Sequence, residues 1–288
     1  MSQAPPGDAR LVDRSLARVG ERRGVRTSMA ALSKHTARRI LGLRRPLRYK
    51  LMPLAFAGIA YLPAVAFLGL AALLPGELAG EVLPSDSDFY GSIYVSLVLF
   101  TALAGPQVLC PDRRHRTLGL YLASPLDRTT YLLASAGALM GVMFVVTLGP
   151  PLLANVGFAL LDVPGAPIPL LLVRVLASGL VLSVLYGAVG IAGASLTDRR
   201  AFASAGVFIA LIGLAIMAQV LTAALDLPAW VGMLDVASVG AELVARIHGE
   251  TGDLDEVGSA ALVVGGAVWV AGLAALVHLR YRRLAVVR

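Results

Sequence analysis

The chain has 288 residues, of which 57% are hydrophobic and only 15% are charged. Soluble globular domains contain about 25% charged residues, so this composition excludes an ordinary soluble protein. The abundance of Leu, Val, Ile and Ala excludes disorder over most of the length. The single cysteine, Cys110, excludes an intramolecular disulfide framework and a cysteine-based metal cluster.

Six apolar blocks follow one another along the chain, at 51–74, 90–109, 131–161, 168–196, 201–225 and 257–279. Each has the roughly 20 residues that a helix needs to cross a bilayer, and none alternates like a β-barrel strand. We therefore expect an all-α polytopic membrane protein with six transmembrane helices. The third block is long for one span and contains Pro150-Pro151, which predicts a break in its helix.

The charged residues predict an orientation. All Lys and Arg residues except Arg174 and Arg246 lie before the first span, in the second and fourth connections, or in the tail, whereas the other connections are acidic. By the positive-inside rule, we expect both termini in the cytoplasm and the acidic connections outside. Arg174 lies near the outer end of its span, where we expect it to anchor the helix at the membrane surface.

The residues before the first span form a basic arm. Residues 1–27 have a short amphipathic pattern (Val12, Leu16, Val19), and either a helix or disorder fits them. Residues 28–50 are predicted to form an amphipathic helix on the inner membrane surface, with Thr27-Ser28 as its cap. A solvated basic tail and a mitochondrial transit peptide are the alternatives. Residues 51–285 then form the transmembrane domain, with an inner loop over 111–130 and an outer loop over 226–256.

Several kinds of catalytic site are missing from the sequence. Neither Lys34 nor Lys50 lies in a glycine-rich phosphate-binding turn, and no HExxH zinc motif is present. Ser195 and His278 lie near the same end of two spans, but serine in a membrane helix usually serves packing, so an intramembrane protease is a distant alternative. We expect no enzyme active site, metal or cofactor. Two stripes of small residues are packing signals: Gly137 with Gly141, and Ala267, Ala271 with Ala275.

The connection between the second and third spans has a composition of its own. A charged patch, Asp112 to Arg116, comes first, and Leu118, Tyr121 and Leu122 then recur at helical spacing. Pro125 ends this run, and Arg128 precedes the next span. A simple connection needs no apolar helical turn, whereas a cytoplasmic partner with a groove would bind one.

This connection resembles that of the permease subunits of ABC-2 type ABC exporters. Four groups of residues match that pattern in order and spacing: Asp112-Arg113-Arg114, Thr117-Leu118, Leu120-Tyr121-Leu122 and Pro125-Leu126-Asp127-Arg128. One departure is Gln107, in a region where many relatives have an acidic residue. The resemblance implies six spans, cytoplasmic termini, an entry helix before the first span, and a loop that couples to a separate ATPase. The coupling residues would be Asp112, Arg113, Arg114, Thr117, Leu118, Tyr121, Leu122, Pro125 and Arg128.

The resemblance also implies a short helix between the fifth and sixth spans. The apolar residues Val236, Val239, Leu243 and Ile247 recur at helical spacing there, and Gly249 would end the helix.

We therefore expect a permease subunit of an ATP-driven exporter in the plasma membrane of a bacterium, and the scarcity of charge in the spans favours an amphiphilic substrate. Its partners would be an ABC ATPase subunit that binds the ATP, a second permease half that is identical or related, and membrane lipid, with no nucleic acid. The alternative is a membrane scaffold that docks a cytoplasmic partner without transport.

Overall fold

The computed structural model of the protein describes residues 24–43, 47–74, 78, 82–122, 126–163 and 167–283. Helices account for 84% of these residues, and no β-strand occurs within these ranges. The α-helices are α1 (Val25–Ile40), α2 (Leu47–Leu73), α3 (Asp88–Ser92), α4 (Tyr94–Arg114), α5 (Leu118–Leu122), α6 (Arg128–Leu160), α7 (Ile168–Leu196), α8 (Arg200–Gln219), α9 (Val236–His248) and α10 (Ser259–Arg283). A π-helical turn, Val220–Ala224, extends α8, and a 3-10 turn, Ala229–Leu234, precedes α9.

Six of these helices are long and apolar enough to cross a membrane: α2, α4, α6, α7, α8 with its π-helical turn, and α10. The all-α class and the six apolar helices predicted from the sequence are confirmed. Helix α4 lies in the centre of the bundle, because most of its side chains are buried, whereas α2, α8 and α10 lie at the periphery. The second span also extends five residues beyond its expected end, so that Asp112 belongs to the helix.

The predicted break in the third span is wrong. Helix α6 continues through Pro150 and Pro151 to Leu160. Each proline removes one backbone donor, but a break would free several more N–H and C=O groups in a place without water. Both prolines are buried, and the Asn155 side chain donates to the carbonyl of Pro151 at 2.9 Å. The helix therefore continues through both buried prolines, and Asn155 supplies an additional donor to the carbonyl of Pro151.

Helices α4 and α7 cross with their backbones in direct contact. A Cβ atom placed on Gly105 would lie 2.6 Å from the carbonyl oxygen of Gly190, closer than van der Waals contact permits. By contrast, Gly137 and Gly141 have open space where a Cβ would stand. A close approach of two spans is thus made by a pair of glycines that no spacing motif marks.

Helix α1 begins at Val25, three residues before the predicted start, so the expected cap at Thr27-Ser28 is wrong. Its apolar face includes Leu32 and Ile40, both buried, and packs against α6 and α4. The Ser33 hydroxyl donates to the carbonyl of Ala134 in α6 at 2.8 Å. Helix α1 is therefore packed onto the bundle. The amphipathic pattern at residues 12–19 lies outside the described residues.

The connection between the fifth and sixth spans packs back against the bundle. The predicted helix is present as α9 and ends at Gly249 in the left-handed conformation (φ 84°). Met233 lies just before α9, and its carbonyl accepts a hydrogen bond from the indole N–H of Trp269 in α10 at 2.9 Å. Trp269 is ten residues from the start of α10, about 15 Å along the helix. This connection thus reaches roughly halfway along α10, and α9 packs between α7 and α10.

Candidate coupling loop

Asp112, the first charged residue of the connection, is buried in a polar cluster near the end of α4. Its carboxylate pairs with the Arg39 guanidinium of α1 at 2.6 Å and accepts a hydrogen bond from the Tyr131 hydroxyl of α6 at 2.7 Å. Arg39 also donates to the carbonyl of Val108. Asp112 therefore ties α1 and α6 to α4.

The charge on Arg39 is maintained by this pairing. Burial by itself would lower the pKa of Arg39, but the hydrogen bond and the negative charge of Asp112 outweigh it, so the pKa lies above its ordinary value. A buried arginine and a buried aspartate compensate each other here, and either one alone would be an unpaired charge in an apolar interior.

Arg113, the next residue, binds the end of α7. Its guanidinium donates to the carbonyl of Ser195, and Arg280 of α10 donates to the carbonyls of Ser195 and Leu196, both at 2.8 Å. The last carbonyls of a helix have no partner within the helix. The two arginines supply these partners, and their positive charges also interact favourably with the negative end of the α7 helix dipole.

Arg128 does the same for α10. Its guanidinium donates to the carbonyls of Tyr281 at 3.3 Å and Arg282 at 2.9 Å, in the last turn of α10. The preceding residue, Asp127, caps the start of α6. Its carboxylate accepts from the Thr130 N–H at 2.7 Å, and the Thr130 hydroxyl in turn accepts from the Asp127 N–H at 2.9 Å. Both ends of the connection are thus attached to helix termini.

The predicted apolar helical turn is present as α5, which supports the helical interpretation of residues 118–122. Leu118 and Tyr121 are half-buried and pack against the core. The Tyr121 ring lies 5.6 Å from that of Tyr131, which stacks in turn on Tyr281 at 6.3 Å. Burial and the charge of Asp112 raise the pKa of Tyr121. Helix α5 is therefore attached to the bundle by one face.

The exposed part of the connection lies between α4 and α5. Arg114, His115 and Arg116 are exposed, and Arg116 adopts the left-handed conformation (φ 55°). The Thr117 N–H closes the turn by donating to the carbonyl of Asp112 at 3.0 Å. This turn presents two arginine side chains beside α5, and we call residues 114–122 the docking segment.

The structure thus places the predicted coupling residues in two groups. Asp112, Arg113, Thr117 and Arg128 make contacts within the bundle, and Leu118 and Tyr121 are half-buried, whereas Arg114 faces solvent. Leu122 lies in α5, and Pro125 falls outside the described residues. Sequence reasoning missed Arg39, Tyr131 and Arg280. The sequence does contain one signal for such a partner: an aspartate at the end of an apolar span needs a cation nearby, although the spacing does not say which one.

The Ser195 hydroxyl is buried and donates to the carbonyl of Ala192 at 2.7 Å. Across the part of the chain that the structure describes, no three His, Cys, Asp or Glu side chains are grouped to hold a metal ion.

Comparisons with known proteins leave the family open: neither a family model nor a curated sequence matches this chain.

Proposed function

We propose that this chain is the permease subunit of an ATP-driven exporter of the ABC-2 type. In this proposal a separate ATPase subunit binds the docking segment from the cytoplasm, and a second permease half completes the path. Three features support it: the six apolar helices, the order of residues from Asp112 to Arg128, and the way that this connection is attached to the bundle.

The attachment is the observation that carries the proposal. Asp112 ties the connection to α1 and α6, Arg113 ties it to the end of α7, and Arg128 ties it to the end of α10. A force on the docking segment would therefore pass along the chain to Asp112, Arg113 and Arg128, whose hydrogen bonds reach four helices. A connection that only joins two spans has no need of such contacts.

Charge indicates what kind of surface the partner would present. Arg114 and Arg116 are exposed beside α5, and Arg113 and Arg128 are engaged with helix ends. A groove with an acidic rim would complement the two exposed arginines, while the half-buried apolar face of α5 would contribute little unless α5 moves.

The test is co-purification with a candidate ABC ATPase subunit that is co-expressed with this chain. We expect that Arg114→Glu with Arg116→Glu reduces the recovered ATPase at least tenfold and abolishes nucleotide-dependent flux in vesicles, because both charges would then repel an acidic rim. The matched control is Asp253→Lys, which reverses an exposed charge in the connection before α10. This control should leave binding and flux unchanged.

The same vesicle experiment distinguishes a permease from a scaffold. Stable, charge-dependent binding of the ATPase without nucleotide-dependent flux would favour a scaffold over a permease. Unchanged binding by the doubly reversed variant would contradict the docking segment as the site.

A further inference from the structure

A second polar cluster lies at the opposite end of the bundle from Asp112. His248, the last residue of α9, is buried, and its Nε2 atom lies 3.3 Å from the Ser178 hydroxyl of α7. Its other ring nitrogen, Nδ1, lies 3.8 Å from a carboxylate oxygen of Asp86 and has no hydrogen-bond partner. A buried histidine with one nitrogen unpaired is therefore directed at a carboxylate just beyond hydrogen-bond distance.

The same two segments are joined by a second contact. The Glu250 carboxylate accepts hydrogen bonds from the hydroxyls of Ser85, at 2.8 Å, and Ser87. Glu250 and His248 stand at the end of α9, while Ser85, Asp86 and Ser87 precede α3. We call these five residues the α9 latch, because they connect the chain before α3 to the end of α9.

The order Ser178, His248, Asp86 is that of a nucleophile, a base and an orienting acid. However, Ser178 is fully buried within α7, where the neighbouring N–H groups are used by the helix. Because a substrate carbonyl could not reach this hydroxyl or find oxyanion donors beside it, the cluster is not suited to acyl transfer. The arrangement of a buried histidine beside a carboxylate is suited instead to the gain and loss of a proton.

We propose that the α9 latch binds a proton at His248 and closes when it does so. In the neutral ring only one nitrogen carries a hydrogen, whereas in the cation both nitrogens donate. Protonation makes both ring nitrogens donors whichever tautomer precedes it, so Nδ1 donates to Asp86 in a charge-assisted bond and Nε2 donates to the Ser178 hydroxyl. Loss of this proton at higher pH removes the charge-assisted bond, so the latch loosens.

The charged groups around His248 fit this assignment. Asp86 brings negative charge to within 3.8 Å of the ring, Glu250 is bonded to the serines on either side of Asp86, and the carbonyl end of α9 adds a partial negative charge. On α7, Arg174 opposes protonation, since its guanidinium lies 3.6 Å from where a Cβ on Gly249 would stand. On α9 itself, Arg246 is paired with Glu242 at 2.8 Å.

The remaining neighbour is Tyr90 of α3, whose ring lies 5.9 Å from the His248 ring. Burial raises the pKa of Tyr90, so this residue stays neutral over the whole range and adds no charge. Acidic neighbours therefore outnumber basic ones at His248.

The experiment is hydrogen–deuterium exchange of the full chain in lipid nanodiscs, in which both faces meet the same buffer. At about pH 5.5, and after correction for intrinsic exchange rates, we expect the amides of residues 85–92 to be about tenfold more protected than at about pH 7.5. His248→Gln, which keeps a polar contact to Ser178 without a titratable ring, should remove this difference. Asp86→Asn should remove it as well, and it decides the question if His248→Gln does not fold.

The control is His35→Gln, on the exposed part of α1, which should keep the full pH difference. Absence of the difference from the wild-type chain, or its survival in either latch variant, would overturn the proposal. The measurement needs no ATPase and no substrate, so its outcome is independent of whether the chain is a permease.

Discussion

Asp112 is the residue on which the contacts at the basic end of the bundle depend. Its side chain is 5% exposed, and that of Arg39 is 11% exposed. Removing one charge of a buried pair leaves the other unpaired, which costs about 3–5 kcal/mol, whereas removing both costs much less. The pair thus specifies how α1 docks against α4.

We expect Asp112→Asn to lower the free energy of unfolding by about 3–5 kcal/mol, because Arg39 then remains as a buried unpaired cation. Reversible unfolding in mixed micelles measures this. The double variant Arg39→Met with Asp112→Asn should recover a large part of the loss. Arg38→Gln, at the neighbouring position of α1, is the matched control and should change little. Equal losses for Asp112→Asn and Arg38→Gln would show that the pair is unimportant.

The helix-capping contacts of Asp127 predict that the stability of the folded state depends on pH. Its pKa is lowered because the Thr130 hydroxyl and N–H donate to its carboxylate. A carboxylate with a lower pKa in the folded state stabilises that state above its unfolded pKa of about 4, and this contribution is lost as the pH falls through the folded value. Asp127→Ala should therefore lower the unfolding temperature by a few degrees near pH 7.

The difference between wild type and Asp127→Ala should shrink as the pH falls below about 4, as thermal unfolding followed over a pH series would show. Asp253→Ala removes an exposed aspartate that caps no helix and should show neither effect. A difference that stays constant with pH would mean that the cap acts without its charge.

At the scale of the elements, the crossing of α4 and α7 has no room for a side chain at Gly105. Both helices are central, and they touch through the backbones of Gly105 and Gly190. Helices in a membrane gain their association from close packing, since lipid is as apolar as their side chains. The crossing therefore determines how near α4 and α7 can approach.

Gly105→Ala should destabilise the bundle by about 1–3 kcal/mol, because its methyl group would lie 2.6–2.8 Å from the Gly190 backbone and force the helices apart. Unfolding in mixed micelles checks this. Gly137→Ala is the matched control within a span, where open space receives the methyl group, and it should be neutral or slightly stabilising. The same loss in both variants would indicate an effect of helix backbone alone.

At the scale of the whole molecule, charge separates the two ends of the bundle. Arg113, Arg128 and Arg280 converge at one end, while Asp86 and Glu250 meet α9 at the other. We expect the basic end to face the cytoplasm, which is the orientation that the proposed ATPase requires.

Labelling with a membrane-impermeant maleimide checks this orientation. In intact cells Asp253→Cys should react and Arg114→Cys should not, while both should react after permeabilisation. The wild-type chain is the blank, because its Cys110 is buried. Reaction of Arg114→Cys in intact cells would contradict the orientation and, with it, docking of a cytoplasmic ATPase.

The sequence by itself determined the number of spans, the helix at residues 236–248 and the helical turn at 118–122. These features depend on composition and spacing within a short window: a long apolar run is a span wherever it packs, and Gly249 ends a helix by its own backbone freedom. The sequence also located the connection that contains the docking segment, because Leu118 and Tyr121 recur at helical spacing.

Only the tertiary structure decided which side chains in that connection are exposed. Asp112 and Arg39 are 73 residues apart, and Arg113 meets a carbonyl 82 residues away, so no local pattern reveals that these charges are paired. The continuity of α6 through Pro150 and the meeting of Gly105 with Gly190 were likewise decided by packing. The physical reason is that burial and pairing are properties of the neighbours in space, and a sequence orders neighbours only along the chain.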